Sequence, residues 1–221
     1  MHIYEKDGKE YPSVTTILHS LGNDEIIKWA NHLGFKHLDY EKELEKTSII
    51  GTKVHDLLRG EIDPSYKPEI TYKDELERIT LLGYVTRFRN FIQDYTYETI
   101  FTEKTFISEN LGYAGTLDWF AKINQKYIML NDFKTSKAVR LKHLFQLGGY
   151  YNLLHENGYE PDGASIILVN KKLCSMFPIS KSELLYFAEA FNILAKFYLI
   201  TYQKEPNVDI NLLNSLKSTK S

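Results

Sequence analysis

The stretch that decides the fold runs from Tyr113 to Lys134 and reads YAGTLDWFAKI-NQK-YIMLNDFK. Two runs rich in aromatic and β-branched residues are separated by Asn124-Gln125-Lys126, a turn signal. A third run of the same kind, Thr99 to Ile107, comes before them, and Gly112 marks the turn between. Three consecutive short strands of this type predict an antiparallel meander.

Helical patterns surround this meander. Apolar spacing predicts helices over residues 24–47, 48–58, 74–94, 141–157 and 180–203. A short run from Ala164 to Val169 predicts a buried strand, and the helix before it leaves room for a crossover connection. We therefore expect an α/β fold, in which a central mixed sheet of three-strand meander plus crossover strand is flanked by helices.

The N-terminal residues predict a short arm ahead of the helices. Asp7-Gly8 is a turn signal between Tyr4 and Tyr11, and Ser13 stands where it can cap a helix that begins at Val14. A chain of 221 residues suits one domain. We divide it into an N-terminal arm with helices (1–95), a core that carries the candidate site (96–170), and a C-terminal helix with a tail (171–221).

Charge and cysteine content exclude several protein classes. Lys and Arg number 27 against 29 acids, a net charge of −2, which argues against nucleic-acid binding by bulk charge but permits a local basic groove. The single cysteine, Cys174, excludes an internal disulfide framework and a four-cysteine zinc or iron–sulfur site. The sequence has no G-x-x-x-x-G-K-[ST] motif, so no nucleotide cofactor is expected.

No run of the sequence reaches the roughly 20 apolar residues that span a bilayer. The longest apolar region, Leu184 to Ile200, is interrupted by Glu189, Asn192 and Lys196. The opening residues lack the apolar core of a secretory signal. We expect a cytoplasmic protein without a membrane partner.

The meander carries the candidate chemistry. Residues two apart on a strand face the same way, so Asp132 and Lys134 share a face while Phe133 points into the core. If the second and third strands pair, Asp118 can stand beside Asp132. Adjacent carboxylates repel, and Mg²⁺ or Mn²⁺ with hard oxygen ligands relieves the repulsion. Taken alone, Asp132–Lys134 is a weak signal, and a surface ion pair at a strand end is the better interpretation.

Two further motifs flank these acids. Gly51-Thr-Lys-Val-His55 places a histidine on a helix before the meander. Gln146-Leu-Gly-Gly-Tyr150 places two polar side chains on one face of the helix after it. Each motif is common by itself, but the joint order G-x-x-x-H, G-x-x-D, D-x-K and Q-x-x-x-Y is far rarer.

This order resembles the PD-(D/E)XK nuclease superfamily, in its RecB-like exonuclease branch. The segment Tyr11-Pro-Ser-Val-Thr-Thr-Ile-Leu18, together with Trp29 and the Gly51-to-His55 motif, looks like the phage and mitochondrial genome-maintenance exonuclease group. The resemblance covers roughly residues 11–170. It implies that residues 1–221 form a single nuclease domain, a restriction-endonuclease-like core with extra N-terminal helices.

The resemblance also implies roles for the motif residues. Asp118 and Asp132 would be paired metal-binding carboxylates, with His55 and the main-chain carbonyl of Phe133 as further ligands. Lys134 would be the catalytic lysine. The cofactor would be one or two Mg²⁺ or Mn²⁺ ions, and a lone cysteine excludes the iron–sulfur cluster of the CRISPR-associated members.

Other polar residues receive roles as well. Gln146 and Tyr150 would orient the lysine or the scissile phosphate. Glu103 matches an acid often found before the G-x-x-D motif, and whether it touches metal or only faces the site is open. The candidate substrate-binding residues carry hydroxyl or basic groups: Ser13, Thr15, Thr135, Ser136, Lys137, Arg140 and Lys142. Cations at a predicted helix start have the wrong sign for the helix dipole, which a bound phosphate would explain.

The expected function is a metal-dependent DNA exonuclease that hydrolyses phosphodiester bonds at DNA ends or in single strands, in recombination, repair or phage DNA processing. The alternatives are a structure-specific DNA endonuclease and a non-catalytic DNA-binding or assembly protein that retains the fold. DNA is the expected partner, and a recombinase, single-strand-binding or helicase partner is left open. The expected compartment is the cytoplasm of a bacterium or phage-infected host.

Overall fold

A computed structural model of the protein describes residues 2–22 and 24–202, without the side chains of residues 24–29. The side chain of Trp29 and the tail after residue 202 therefore lie outside the described residues. The elements in chain order are β1 (Ile3–Lys6), β2 (Lys9–Pro12), α1 (Val14–His19), α2 (Asp24–Phe35), α3 (Tyr40–Ile62), α4 (Glu75–Ile92), β3 (Tyr97–Ser108), β4 (Tyr113–Ile123), β5 (Tyr127–Lys134), α5 (Leu141–Glu156), β6 (Gly163–Val169), β7 (Cys174–Ser180) and α6 (Lys181–Tyr202).

The central sheet is mixed and has the strand order β3-β4-β5-β6-β7. Strands β3, β4 and β5 form the antiparallel meander, and β6 pairs parallel to β5 after the crossover through α5. Strand β7 then pairs antiparallel to β6. The α/β class and the meander-plus-crossover arrangement predicted from the sequence are confirmed.

Strand β7 was not predicted from the sequence, which assigned residues 171–221 to a helix and a tail. Six of its seven side chains are exposed or half-buried, and Ile179 alone is buried. It is an edge strand of the sheet and contains Pro178, which a central strand would not tolerate. Such a strand lacks the continuous apolar run that made β6 predictable.

The predicted boundary between helices at residues 47 and 48 is wrong. Helix α3 runs unbroken from Tyr40 to Ile62 and is capped by Asp39, whose side chain accepts hydrogen bonds from two backbone N–H groups. The break lies earlier, where His37 has a φ of 56°, the left-handed conformation that commonly follows a helix end. The consequence is one long helix that carries His55 across the sheet.

Each face of the sheet has its own hydrophobic core. One cluster packs α1, α5 and α6 against the sheet, and its members include Val14, Ile17, Tyr113, Leu117, Leu147 and Phe191. The other packs α3 and α4 against the opposite face, and its members include Val54, Leu58, Phe88, Trp119 and Phe133. Burial on both faces makes the sheet a rigid platform for side chains at its strand ends.

The N-terminal arm folds as predicted and lies against the meander. Strands β1 and β2 pair across Asp7-Gly8, and both turn residues have positive φ angles, 52° and 74°. Ser13 caps α1 through a hydrogen bond from the Thr16 N–H and forms a bridge with Ala114 of β4. The start of α1 is thereby fixed beside the G-x-x-D motif.

Helix α6 is apolar enough to raise the question of a membrane span. Among the described residues it alone is long and apolar enough to cross a bilayer, by length and composition only. Core helices of soluble proteins pass the same test. Leu184 and Phe191 of α6 are fully buried in the cluster with α5. The cytoplasmic location stays a prediction.

Candidate metal centre

Strand β4 changes faces at the candidate site. Leu117 belongs to the cluster with α5, whereas Trp119, two residues later, belongs to the cluster with α3 and α4. A regular strand would place both on one face. On the neighbouring strand, Glu103 has a φ of 46°, a left-handed conformation that is rare for a non-glycine residue inside a strand. Irregular backbone of this kind redirects side chains and is frequent next to functional sites.

Three potential ligands converge at this point. One atom each of His55, Glu103 and Asp118 lies within 4.8 Å of the other two, and all three residues are partly buried. His55 Nδ1 lies 3.4 Å from Asp118 Oδ2. Asp118 Oδ2 also accepts a hydrogen bond of 2.8 Å from the Phe133 N–H, which ties β4 to the end of β5. One imidazole and two carboxylates form a donor set suited to a divalent cation.

His55 and Asp118 each shift the pKa of the other toward its charged form. Burial by itself would lower the pKa of His55, but the Asp118 carboxylate outweighs it and raises that pKa. Burial by itself would raise the pKa of Asp118, but His55, Lys134 and the Phe133 N–H together lower it. Asp118 is therefore held in its ionised, ligand-competent form.

Glu103 shows the opposite behaviour. Burial and then the neighbouring Asp118 carboxylate raise the pKa of Glu103 to about 7. Two carboxylates that share a buried position cannot both ionise without a compensating cation. The pair thus has the electrostatics expected of a cation site.

Asp132 lies next to this group but is not one of its three members. Its side chain is buried and forms an ion pair with Lys134, with Nζ 2.5 Å from Oδ2. Apart from this ion pair, neither carboxylate oxygen of Asp132 has a hydrogen-bond donor among the described residues. Burial raises the pKa of Asp132 to about 6, Lys134 opposes this, and Asp118 reinforces it. Asp132 and Lys134 share a face as predicted, while Phe133 is 2% exposed in the core.

The predicted Gln146–Tyr150 pair is present on α5. Gln146 Nε2 donates a hydrogen bond of 2.8 Å to the Tyr150 hydroxyl, and both side chains are buried. Burial, followed by the Asp132 and Asp118 charges, raises the pKa of Tyr150 well above its usual value. The hydroxyl therefore stays protonated and can donate toward the acids.

Two cavities open on the site. The metal-side cavity has a volume of about 660 Å³ and is lined by residues that include Tyr4, Ser13, Thr15, His55, Arg59, Glu103, Asp118 and Tyr150. The lysine-side cavity has a volume of about 370 Å³ and is lined by Thr15, Leu18, His19, Gly22, Lys134, Arg140, Leu141, Lys142, His143 and Gln146. Thr15 at the start of α1 lines both, so the start of this helix forms a shared wall.

Arg59 is a site residue that the sequence did not single out. Its Nε donates to Thr102 Oγ1 at 3.1 Å, and its guanidinium lies 3.8 Å from the centre of the Tyr66 ring. Asp63 Oδ2 lies 3.9 Å from Nε. These contacts fix a cation at the wall of the metal-side cavity. The signal was its position four residues after His55, which puts both on one face of α3.

The predicted substrate contacts do not share one cavity: Thr15, Arg140 and Lys142 line the lysine-side cavity, and Ser13 lines the metal-side cavity together with Thr15. Ser13 is buried and its hydroxyl serves the α1 cap, whereas Thr15 is exposed at the cavity wall. Ser136 Oγ donates to the Ala138 carbonyl, and Lys142 Nζ donates to the Gly22 carbonyl at 2.5 Å.

The other three predicted contacts lie between β5 and the first turn of α5. Thr135 Oγ1 lies beside Gly51 of α3, 3.5 Å from where a Cβ would stand. Lys137 is exposed in the loop between β5 and α5, and Arg140 occupies the N-cap of α5. The basic groups thus surround the start of α5.

Comparisons with known proteins add little to this picture. No family model matches the chain, and no curated protein matches it. Among solved structures, the crystal structure of SSO0001 is similar over 87% of this chain and 79% of that chain, at 14% sequence identity and a TM-score of 0.41. A likeness at that level carries no argument about function.

Proposed function

We propose that this protein is a metal-dependent deoxyribonuclease of the PD-(D/E)XK superfamily, an exonuclease of the RecB-like branch acting on DNA ends or single strands. The observation that carries the proposal is the convergence of His55, Glu103 and Asp118 within 4.8 Å, directly beside the buried Asp132–Lys134 pair. Nothing in the packing of the core requires these charges to be gathered there.

The residues fit a divalent cation. His55, Glu103 and Asp118 supply one nitrogen and two oxygen donors, and Asp132 is a further acid at the same place. Such a mixed set accepts Mn²⁺ at least as readily as Mg²⁺. When bound, the ion would supply a Lewis acid that activates water and offsets negative charge on a phosphate.

The chain's own residues supply positioning and charge. Lys134 is held by Asp132 and faces the lysine-side cavity, where its ammonium group can stabilise the charge that develops on a phosphoryl oxygen. Gln146 and Tyr150 form a rigid donor pair behind it. Arg59 provides a second fixed cation on the metal side, suited to a neighbouring phosphate of the same strand.

The basic groups near the start of α5 suit the continuing backbone. Arg140 and Lys142 line the lysine-side cavity together with Thr15, and Lys137 is exposed close by. Neutralising a cation that binds one phosphate should flatten the log–log salt dependence of DNA binding by about 0.7–0.9. We therefore assign the lysine-side cavity to substrate DNA.

The decisive experiment is digestion of labelled DNA under defined metal conditions. Single-stranded and duplex substrates, linear and closed circular, are incubated with Mg²⁺, Mn²⁺, Ca²⁺ or excess EDTA. An exonuclease degrades the linear forms with Mg²⁺ or Mn²⁺ and leaves closed circles intact. Ca²⁺ should bind without fast turnover.

Two other outcomes carry a clear meaning. Cleavage of closed circles would assign the protein to endonucleases. Activity in excess EDTA would show that hydrolysis does not depend on a metal ion.

Substitution of Arg59 tests its proposed contact with phosphate. Arg59→Lys keeps the charge but loses the bidentate geometry, and Arg59→Gln loses both, so activity should fall in that order.

A further inference from the structure

The outward face of α6 is apolar along its length. The buried residues of the helix are Leu184, Ala188, Phe191 and Ala195. On the other side the exposed fractions are 68% for Tyr186, 67% for Ile193, 57% for Phe197 and 66% for Ile200. A helix that is apolar on both sides is normally covered on both sides, and a contiguous exposed apolar stripe marks an interaction surface.

The spacing of the exposed residues identifies the kind of surface. Tyr186, Ile193 and Ile200 occupy the d positions of a heptad repeat, and Ala190 and Phe197 occupy the a positions. We call these five residues the α6 seam. It extends for about 22 Å at 1.5 Å per residue. A seam with alternating steps of four and three residues is complementary to another helix of the same kind.

We propose that the α6 seam pairs with the α6 seam of a second copy of this chain, in antiparallel orientation. The flanking charges argue for this partner. Glu189 and Lys196 are both exposed and both precede an a position, so they occupy successive g positions. In an antiparallel pair the g positions of the two helices lie on the same side, and Glu189 of each copy faces Lys196 of the other.

A parallel pair offers no such complementarity. It would place the g residues opposite the e positions, which are Leu194 and Thr201. The e side is also closed by the domain itself, since Phe187 contacts the ring of Phe145 on α5 and Leu194 packs against the core. The g side of the seam, which faces away from the domain, therefore carries one negative and one positive charge, Glu189 and Lys196. This arrangement is complementary to itself in an antiparallel pair with two-fold symmetry.

Light scattering over a concentration series tests the proposal. The full chain should have twice the mass of one copy and dissociate on dilution. Ile193→Glu should abolish the dimer and leave the circular dichroism spectrum unchanged, because the side chain is exposed in the single copy. Leu76→Glu on α4, where the residue is 74% exposed, is the control and should remain dimeric. A single-copy mass at every concentration would overturn the proposal.

Charge reversal tests the orientation. Glu189→Lys and Lys196→Glu each place like charges across the interface and should raise the dissociation constant about fivefold. The double variant exchanges the two charges and should restore the original value. An Ile193→Glu variant that dissociates while both reversals have no effect would rule out antiparallel self-pairing.

Two other occupants of the seam are separated by the same measurements. Removing residues 203–221 from a single-copy protein would produce a dimer if that segment covered the seam, and this result would overturn the proposal. Flotation of the full chain with phosphatidylcholine vesicles, abolished by Ile193→Glu, would assign the seam to a membrane surface and likewise overturn it. These readouts are independent of nuclease activity.

Discussion

Glu103 is the residue whose position is hardest to explain by folding alone. Its φ of 46° costs a non-glycine residue in a strand roughly 1–3 kcal/mol, and its carboxyl group lies beside that of Asp118. Neither feature adds to the hydrophobic core. Strain and like-charge repulsion at one residue are tolerated where a bound ligand compensates for them, which is the situation the proposed metal centre supplies.

Glu103 also allows two ligand arrangements to be distinguished. Glu103→Gln should weaken Mn²⁺ binding at least tenfold, measured by titration calorimetry, because it removes one of three converging donors. Asp132→Asn should have a smaller effect, since Asp132 is paired with Lys134 rather than grouped with His55. The opposite ranking would place the ion between Asp118 and Asp132, as the family resemblance implies.

Lys134 should affect chemistry rather than binding. Lys134→Met preserves the length of the side chain and removes its charge, so turnover should fall about 10²–10³-fold while Mn²⁺ and DNA still bind. The measurements are single-turnover cleavage rates and DNA affinity in Ca²⁺. Lys171→Met, at an exposed lysine after β6, is the control. An unchanged cleavage rate would reduce Asp132–Lys134 to a structural ion pair.

At the scale of elements, α5 and α6 approach each other through a glycine. A Cβ at Gly148 would lie 2.3 Å from the Phe187 carbonyl oxygen, which belongs to the α6 backbone and cannot move aside alone. Gly148→Ala should therefore destabilise the protein by about 1–3 kcal/mol in urea unfolding. This loss occurs although alanine has the higher helix propensity, which by itself would stabilise α5. Gly34→Ala, with nothing within 4 Å, should stabilise α2 by about 0.5–1 kcal/mol. Equal signs for the two variants would contradict the close packing of α5 on α6.

The start of α5 carries a neutral histidine among cations. Burial, with Lys134 and Arg140 adding to it, lowers the pKa of His143 to about 3, and its Nδ1 accepts a hydrogen bond of 3.2 Å from the Arg140 N–H. An unfolded histidine has a pKa of about 6.5. The unfolded chain therefore binds a proton at His143 first as pH falls through 6.5, so this residue alone lowers the free energy of unfolding by at most about 1.4 kcal/mol per pH unit down to pH 3. Glu103 and Asp132, whose pKa values are raised, contribute in the opposite direction over part of this range.

Urea unfolding between pH 7.5 and 5 checks this dependence. Between pH 7.5 and 5, His143→Gln should lose less stability, or gain more, than the parental protein, because the destabilising protonation of unfolded His143 is gone. His32→Gln, at an exposed histidine of α2, should keep the parental slope. A His143→Gln protein with the parental slope would show that the acid sensitivity originates elsewhere.

At the scale of the whole molecule, the elements with strong periodicity were predictable and the irregular ones were not. The meander, the crossover and β6 follow from runs of buried apolar residues, and Tyr113–Ile123 was predicted with the same bounds as β4. Strand β7 has one buried side chain and no such run. Motif order pointed to His55, Asp118, Asp132 and Lys134. It left Glu103 undecided and missed Arg59, because their roles depend on a left-handed backbone angle and on contacts from distant residues.

Metal binding should reverse the order of melting temperature between the parental protein and Glu103→Gln. Without a cation, Glu103 and Asp118 form a partly buried carboxylate pair, so Glu103→Gln in EDTA should raise the melting temperature by relieving repulsion and desolvation. With Mn²⁺ at about 100 times its dissociation constant, the parental protein should gain about 2.7 kcal/mol, or roughly 5–10 °C for a chain of this size. The variant should gain little, because one donor is missing.

Differential scanning fluorimetry at one protein concentration measures this reversal: Glu103→Gln should melt above the parental protein in EDTA and below it in Mn²⁺. Glu98→Gln, which neutralises an exposed acid on the same strand, should follow the parental protein in both buffers. If Glu103→Gln melts below the parental protein in EDTA, its carboxylate stabilises the metal-free fold. If Mn²⁺ raises both proteins equally, the ion binds elsewhere. The reversal is expected because the charges that make the empty fold less stable are the same ones that would hold the ion.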